Sequence, residues 1–488
     1  MNLILRQTMK GSIYSYIGAI LGFVNVVLLM PKLFSTAEIG LANVLVAISA
    51  FFGQLGTLGF INVTVKLFPH FRNKEKKHNG FLFLLLMVGS IGMLLCAIFY
   101  FIFKQDIIDR YAEDSFLLAE YIYLLLPFVF ITMFYLLIDV YNRTLFNASF
   151  GIFVKEFLLR IANLAGIILF YLGIFNFKSF IIYYTIAFSL PAISIFLLLV
   201  YKKEISLKPD FSILNKKFVK ELFSVALFGM FVGLSGAGVL QIDKILINDY
   251  VGLDLSGVYS ITFFFGTMII IPARSLMRIT SIVIADAFKN NDNKKVNEVY
   301  KKSVNTLTLI GIAGFLLIWG NIDNIMQMLK PEYSQGKYVI LFISLAFLFQ
   351  MFAGCSNDIL SCGKFYRQLS LMSFILVLLV VILNIILLPV LGIVGASIAF
   401  AAAYLIFFII EFTFIKIKYG FQPYDLKFAL LLIVGVITYF LSLLLPNFQN
   451  YIIDLIIRSS LIGILYFIPV YLLAGGIKNM LPIIHIQN

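Results

Sequence analysis

Two arginines offer the first chemistry in this sequence. Arg274 and Arg278 stand four residues apart, so a helix places both on one face. The nearest acidic residue after them is Asp286, beyond the next helical turn. Guanidinium groups bind phosphates through paired hydrogen bonds, so these residues predict a site for a diphosphate. The alternative is that both are basic flanks that extend toward lipid headgroups.

A second candidate is a polar stripe within an otherwise apolar stretch, 151–173. Arg160 lies well inside this stretch, with Glu156 before it and Asn163 after it at helical spacing. A charge inside a bilayer costs about 2.5–3.5 kcal/mol, so Arg160 needs either a partner or a function. Either Glu156 and Arg160 neutralise each other, or the stripe faces a cavity and binds sugar hydroxyls or phosphate.

Other polar residues have a similar choice of roles. Asp139 and Arg143 are four apart and form either a helix-end ion pair or a gate. Asp243 is either a coupling site for a proton or sodium ion or a structural hydrogen-bonding group. Asn25 and Gln54 either line a sugar-binding cavity or hydrogen-bond inside their own bundle.

Cysteine and histidine add no site. The three cysteines support neither a disulfide framework nor a metal site, and no catalytic residue is predicted. His70 and His78 are expected to be solvated in a basic loop.

The elements that must position these residues are apolar stretches that fill almost the whole chain. Residues are 61% hydrophobic and 12% charged, which leaves no room for a sizeable soluble domain. A bilayer core of about 30 Å takes about 20 apolar residues as helix. The sequence therefore predicts an all-α polytopic membrane protein with fourteen transmembrane helices, at 11–31, 41–62, 80–103, 116–138, 151–173, 178–201, 221–247, 255–275, 300–320, 336–355, 368–388, 393–413, 426–445 and 452–474.

Lysine and arginine fall mainly in alternate gaps between these spans. Of the 37, only eight lie in the gaps assigned to the outside, which predicts that both termini are cytoplasmic. The net charge of +13 then belongs to the inner surface, where it meets anionic lipids. Because these charges are dispersed among short loops, a nucleic-acid partner is not indicated. The eight outer residues are Lys32, Lys104, Arg110, Lys178, Lys244, Lys330, Lys337 and Arg458.

An internal repeat divides the chain. A shift of about 217 positions aligns Gly40 with Gly257, and it also aligns FRNKEKKHN from Phe71 with FKNNDNKKV from Phe288. We therefore predict two parallel six-helix bundles, 1–203 and 204–418, related by a pseudo-two-fold axis, followed by two additional helices in 419–488. Paired bundles of this kind are typical of alternating-access transporters. The alternative is a duplicated scaffold without a transport role.

Three segments resemble one transporter family. They are MPKLFSTAEIGLANVLVAIS at 30–49, QIDKILINDYVGLDLSGVYS at 241–260 and LPVLGIVGASIAFAAAY at 388–404. They are similar to the polysaccharide-transporter family, the flippases for O-antigen and other lipid-linked oligosaccharides within the MATE-like (MOP) superfamily. The resemblance implies a monomeric flippase that moves undecaprenyl-diphosphate-linked oligosaccharides from the inner to the outer leaflet of the bacterial inner membrane. It implies no catalytic residue and no cofactor, and the glycan is left open.

The resemblance also implies partners and alternatives. Membrane lipids, glycosyltransferases and a glycan polymerase of the same pathway are expected to cooperate with such a flippase. One alternative is a multidrug or organic-cation antiporter of the same superfamily, which needs acidic residues deep in its first bundle. Another is a membrane glycosyltransferase or glycan polymerase, which needs a larger outer loop with acidic catalytic groups than the sequence provides.

Overall fold

The computed structural model describes residues 3–73, 75, 77–112, 115–206, 208–209, 216–233, 238–446 and 448–474. Throughout these ranges the regular structure is helical, without a strand. Eleven helices of the described residues are long and apolar enough to cross a membrane by length and composition. The predicted all-α polytopic membrane fold is therefore confirmed, whereas the exact count of fourteen spans stays a prediction.

The first compact unit comprises Met1–Gly257. The π-helices Val24–Leu29 and Val154–Leu158 interrupt its α-helices. The α-helices are α1 Leu3–Phe23, α2 Met30–Leu33, α3 Thr36–Gly56, α4 Phe60–Phe71, α5 Phe81–Tyr111, α6 Phe116–Glu120, α7 Leu125–Thr144, α8 Ala148–Phe153, α9 Leu159–Tyr171, α10 Phe177–Ala187, α11 Leu190–Tyr201, α12 Lys216–Gly233 and α13 Val239–Thr267, the last of which continues past the unit boundary.

The second compact unit comprises Val258–Asn488. Its buried core joins α15, α17, α20 and α21 around Leu316, Ile462 and Tyr466. The α-helices are α14 Ile271–Lys289, α15 Asn293–Trp319, α16 Ile322–Met328, α17 Lys337–Phe352, α18 Ser356–Cys362, α19 Tyr366–Tyr419, α20 Leu426–Leu443 and α21 Tyr451–Ala474.

Two glycines turn the chain inside continuous helical segments. The 54 residues of α19 extended straight would measure about 80 Å, far more than a bilayer core of about 30 Å. At Gly392 the backbone leaves helical geometry, with φ 57° and ψ −142°, and Gly252 does the same within α13 at φ 82° and ψ 177°. Only glycine adopts such angles readily because it has no Cβ. Both turns lie where the sequence predicts one span to end and the next to begin.

Helix α12 and the first part of α13 belong with the first unit, because α12 packs against α3 and α4 and α13 crosses α3. The Asn62 side-chain amide donates to the Gly229 carbonyl over 2.9 Å, and a Cβ on Gly59 would come within 2.0 Å of the Ala226 carbonyl oxygen. The boundary between the two compact units, at 257/258, therefore differs from the predicted boundary between the two repeats, at 203/204. The repeat boundaries concern sequence similarity, and they stay a prediction.

One loop expectation is wrong. His70 is exposed, as expected, but His78 is only 2% exposed, and its Nε2 lies 3.0 Å from Glu204 Oε2. Lys77, His78 and Asn79 all have positive φ (48°, 57° and 46°), so the chain makes a left-handed turn before α5. This turn directs the imidazole into the core, beneath the aromatic rings of Phe68 and Tyr141.

Candidate functional site

The polar stripe around Arg160 is built where the two π-helices interrupt their spans. α1 packs against the π-helix Val154–Leu158, and the π-helix Val24–Leu29 packs against α9. A π-helix bonds residue i to i+5 and therefore displaces side chains from the faces they occupy in an α-helix, often at functional sites. Asn25 lies in the first π-helix and Glu156 in the second.

Glycines on α1 make room for this stripe. A Cβ on Gly18 would lie 2.6 Å from the Glu156 carbonyl oxygen, and one on Gly22 would lie 3.1 Å from Nη1 of Arg160. These glycines are four residues apart and form a small-residue stripe of the type that lets membrane helices approach closely. The Arg160 guanidinium consequently lies against the bare backbone of α1.

Two asparagines next to Arg160 have oxygen atoms that need donors. Asn25 is 2% exposed, and its side-chain nitrogen donates to the Arg160 carbonyl over 2.8 Å. The side-chain oxygens of Asn25 and Asn163 are both buried without a hydrogen-bond partner in the described part of the chain. A buried acceptor without a donor costs about 1–3 kcal/mol, which a ligand hydroxyl would recover.

Within the part of the chain that the structure describes, no carboxylate forms an ion pair with Arg160. The structure describes both Glu156 and Arg160, and no ion pair within 4 Å joins them, although they are four residues apart. Glu156 lies inside the π-helix Val154–Leu158, which ends before Arg160 and carries Glu156 off the face that α-helical spacing predicts. Glu156 and Arg160 therefore do not neutralise each other in this geometry, although this is one of their two predicted roles. The half-buried guanidinium remains available to an anion.

The second predicted pair is present. Arg143 Nε lies 3.1 Å from Asp139 Oδ2 at the end of α7. A Cβ on Gly151 would fall 2.2 Å from Asp139 Oδ1, so this carboxylate also touches the start of the next span. Lys155 stacks over the Tyr135 ring at 5.2 Å. The ion pair is a structural fact, whereas a gating role for it stays a prediction.

The remaining predicted residues are distributed differently. Arg274 is exposed in the first turn of α14, in the second unit. Arg278 follows it on the same helix, but its side chain lies outside the described residues. Gln54 is buried, and its Nε2 occupies space that a Cβ on Gly233 would need, so it lies against α12. Asp243 is buried in α13. Roles in diphosphate binding, sugar binding or coupling stay predictions for all four.

A second noteworthy contact joins α3 to α13 within the first unit. A Cβ on Gly40 would lie 2.0 Å from the Leu253 carbonyl oxygen, and one on Gly257 would lie 2.0 Å from the Thr36 carbonyl oxygen. The 217-residue shift pairs Thr36 with Leu253 and Gly40 with Gly257. The contact is thus reciprocal, which is the form that a two-fold axis produces. Beside it, the Thr36 hydroxyl donates to Asp254 Oδ1 over 2.5 Å.

Some features of these sites were accessible to sequence reasoning and others were not. The Gly18–Gly22 spacing is a visible small-residue motif that could have pointed to α1 as the partner of Arg160. The π-helices have no such signal. Across the described residues no group of three or more histidine, cysteine or acidic side chains is placed to hold a metal ion.

The fold and family follow from comparison with known proteins. The structure resembles lipid II flippase MurJ in an inward closed conformation, with a TM-score of 0.75 and 16% identity over 95% of this chain and 98% of that chain. It also resembles an inward-facing multidrug resistance MATE family transporter of the MOP superfamily, with a TM-score of 0.58 and 15% identity over 86% and 98%. A MOP superfamily transporter from Pyrococcus furiosus gives a TM-score of 0.54 and 15% identity over 86% and 95%.

At such identities the structural likeness establishes the fold alone. No curated protein sequence matches the chain. A family model described as polysaccharide biosynthesis protein matches residues 4–276, which is more than half of the sequence. The chain therefore belongs to the polysaccharide biosynthesis protein family.

Proposed function

We propose that this protein is a flippase for lipid-linked oligosaccharides. It moves repeat units carried on undecaprenyl diphosphate from the inner to the outer leaflet of the bacterial inner membrane, for O-antigen, capsule or exopolysaccharide synthesis. Membership of the polysaccharide biosynthesis family supports the pathway, and a fold shared with a lipid II flippase and with MATE transporters supports transport. The observation that carries the proposal is the Arg160 guanidinium, which lies in the predicted span 151–173 and forms no ion pair with any carboxylate of the described residues.

A diphosphate is the ligand whose chemistry suits Arg160 best. An uncompensated guanidinium in a membrane span is costly, and an anion that accepts paired hydrogen bonds removes most of that cost. Arg143 and Lys155 add positive charge to the stripe, while Asp139 and Glu156 offset part of it. The unpartnered oxygens of Asn25 and Asn163 suit the hydroxyl groups of a sugar. In this proposal Arg274 and Arg278 provide further inner-side cations that capture the diphosphate.

The membrane potential favours the proposed direction. A diphosphate carries about two negative charges, and each is worth about 2.3 kcal/mol per 100 mV. Outward movement across the whole field is therefore favoured by up to about 5 kcal/mol per 100 mV. The difficulty is the barrier to moving a charged headgroup through lipid, which a polar stripe inside the protein lowers by replacing water.

Alternating access explains how one stripe serves both leaflets. In the proposed cycle the two six-helix copies rock against each other, and the reciprocal Gly40–Gly257 contact supports a two-fold relationship between equivalent helices. Both termini are cytoplasmic in this scheme, the protein acts as a monomer, and glycosyltransferases and a polymerase supply and consume its substrate. The cycle requires no cofactor and no metal ion.

Replacement of Arg160 tests the proposal. Arg160→Gln should reduce delivery of lipid-linked oligosaccharide to the outer leaflet by about ten- to one-hundredfold, because hydrogen bonds to a charged group contribute about 1.5–3 kcal/mol. Depletion of the protein should cause lipid-linked oligosaccharide to accumulate facing the cytoplasm. Arg367→Gln is the matched control, since Arg367 is exposed and contacts only its neighbour Tyr366 among the described side chains. Undiminished delivery in Arg160→Gln at normal protein level would refute the assignment.

The same experiment separates the alternatives. A flippase leaves the glycan chemically unchanged, whereas a glycosyltransferase or polymerase changes its length, so the mass of the lipid-linked glycan on both leaflets distinguishes them. A multidrug antiporter predicts that depletion raises sensitivity to organic cations while glycan delivery continues.

A further inference from the structure

Glu411 is a buried carboxyl group that the proposed transport path does not use. It lies in the second unit on α19, 1% exposed. One oxygen, Oε2, accepts a hydrogen bond from the Ser356 hydroxyl over 2.7 Å. The other, Oε1, is buried without a hydrogen-bond partner in the described part of the chain. Nor does any lysine, arginine or histidine of that part form an ion pair with Glu411.

Uncharged hydroxyl and thiol groups surround this carboxyl. Ser356 begins α18, and the preceding Cys355 exchanges hydrogen bonds with Ser303 of α15. The Tyr424 ring packs on Phe412, one residue from Glu411 along the chain, at 4.9 Å. Burial raises the pKa of Tyr424, the hydrogen bond to Tyr300 offsets part of the rise, and the Glu411 carboxylate adds to it. These neighbours therefore stay neutral and supply no positive charge.

The charged groups on the elements around Glu411 are engaged elsewhere. Lys301 of α15 pairs with Asp425 over 3.1 Å. Partial burial works against ionisation of Asp425, but hydrogen bonds from the Phe428 amide and from Lys301 outweigh it and lower the pKa of that carboxyl. Lys416, one turn beyond Glu411, lies over the Phe412 ring at 5.7 Å. The remaining charges on α15, α17, α18, α19 and α20 are Glu298 and Lys302, which pair with each other, Lys337, which pairs with Asp323, Asp358 of α18, and the exposed Lys294, Lys295, Arg367, Lys418 and Lys427.

We propose that Glu411 is a proton-binding site. As a carboxylate, Glu411 would be buried with a hydrogen bond from Ser356 to one oxygen and no donor to the other. Another acid, Asp358, lies on α18, the helix packed against α19. Removing such a charge from water is strongly unfavourable unless a cation or further donors compensate. As a neutral acid it retains the Ser356 bond and bears only the smaller penalty of one unmade hydrogen bond. The protonated form thus holds α18 against α19, and proton release favours conformations that hydrate Glu411.

A proton fits this site better than a metal ion. Hard cations take about six oxygen ligands, most of them carboxylate, carbonyl or water oxygens. The described contacts of Glu411 offer its own two oxygens and the Ser356 hydroxyl. For transport, the inference rests on the proposed function, since it makes the proton the coupling ion of the flippase. Proton binding itself is measured without transport.

Infrared difference spectroscopy on the purified full-length protein tests the inference. Between acidic and alkaline buffer, the wild-type protein should lose a carbonyl-stretch band of a buried carboxylic acid. Glu411→Gln should lack this band, and Glu298→Gln should keep it, because Glu298 is an exposed glutamate of the same unit. Ser356→Ala retains the carboxyl and removes its donor, so its band should disappear at a midpoint about one pH unit higher. An unchanged band in Glu411→Gln would overturn the proposal.

Thermal unfolding provides the second readout. Wild-type stability should fall as pH rises through ionisation of Glu411, while Glu411→Gln, which mimics the neutral acid, should show a smaller decline. The inference would be overturned if sodium chloride, but not choline chloride, stabilised the wild-type protein at alkaline pH and Glu411→Gln abolished this effect. The ligand of Glu411 would then be a sodium ion instead of a proton. Undiminished glycan delivery in Arg160→Gln, with the Glu411 infrared band behaving as in the wild type, would count against the proposed function alone.

Discussion

The crossing of α3 and α13 leaves no space for a methyl group, and this gives a direct test of alternation. Gly40→Ala would place a Cβ 2.0 Å from the Leu253 carbonyl oxygen, and Gly257→Ala would place one 2.0 Å from the Thr36 carbonyl oxygen. In each case the obstacle is backbone, which cannot rotate aside as a side chain can. The substitution must therefore separate the two helices wherever this contact is made.

The size of the effect follows from the overlap. An optimal non-bonded contact is about 3.5 Å, so a Cβ at 2.0 Å requires the helices to separate by about 1.5 Å. Forcing an additional methyl group into a packed contact costs about 1–3 kcal/mol. At about 1.4 kcal/mol per factor of ten, each alanine should shift the equilibrium away from the closed crossing by about five- to one-hundred-and-fifty-fold. A conformation in which the helices are apart should be unaffected.

Disulfide trapping measures the closed population. The Thr36 hydroxyl and Asp254 carboxylate are 2.5 Å apart beside the crossing, so Thr36→Cys with Asp254→Cys should cross-link readily once Cys96, Cys355 and Cys362 are replaced. Adding Gly40→Ala should lower the rate of cross-linking by about five- to one-hundred-and-fifty-fold. Gly463→Ala is the matched control, because a Cβ there meets nothing within 4 Å.

The reasoning fails if Gly40→Ala and Gly463→Ala cross-link at the same rate. It also fails as an account of transport if the oxidised Thr36–Asp254 cross-link leaves glycan delivery intact, since alternation requires this contact to open. Delivery that stops on oxidation and resumes on reduction is the expected result.

Three further predictions concern buried polar groups. Arg458→Met should lower the free energy of unfolding by about 3–5 kcal/mol in thermal denaturation, because it leaves Asp454 buried without its 2.9 Å partner, while Asp454→Leu with Arg458→Met should restore much of the loss. His78→Ala should cost about 1–3 kcal/mol in the same assay, since it removes the bond to Glu204 and empties a buried position, whereas His70→Ala should be nearly neutral. Burial raises the pKa of Asp358 to about 6, although the hydrogen bond from Thr280 opposes the rise. The protonated carboxyl therefore stabilises the fold fully below about pH 4, and this stabilisation is lost as pH rises through about 6. Asp358→Asn should remove that decline in thermal stability.

The spans were predictable because the bilayer fixes their length and polarity. Where the structure describes the chain, each predicted stretch lies mainly in helix, and the turns at Gly252 and Gly392 lie at predicted span boundaries. The 217-residue register also pairs Gly40 with Gly257, which lie in contact in the structure. Such patterns extend over many residues, so a local irregularity does not erase them.

The site was less predictable because it depends on irregular backbone. Spacing rules assume α-helical geometry, and the π-helix that contains Glu156 and ends before Arg160 invalidates the four-residue rule there. The same rule holds for Asp139 and Arg143 because α7 is regular between them. The basic loop around His78 predicts a solvated side chain, but a left-handed turn buries it. Neither irregularity has a signature in residue type.

Arg160 and Glu411 pose opposite forms of one energetic problem. Asp454 and Arg458 form an ion pair within α21 and need no external ligand. Within the described residues, Arg160 of the first unit forms no ion pair with an anion, and Glu411 of the second forms none with a cation. A diphosphate on Arg160 and a proton on Glu411 would each remove a desolvation cost, so both ligands should favour the same low-energy loaded state. If the two sites are coupled, the midpoint of the Glu411 infrared band should move to higher pH when undecaprenyl diphosphate binds. Acid pH should in turn tighten binding of this lipid, and the two effects should correspond to the same coupling free energy. A midpoint that stays fixed at saturating lipid would show that the two sites act independently.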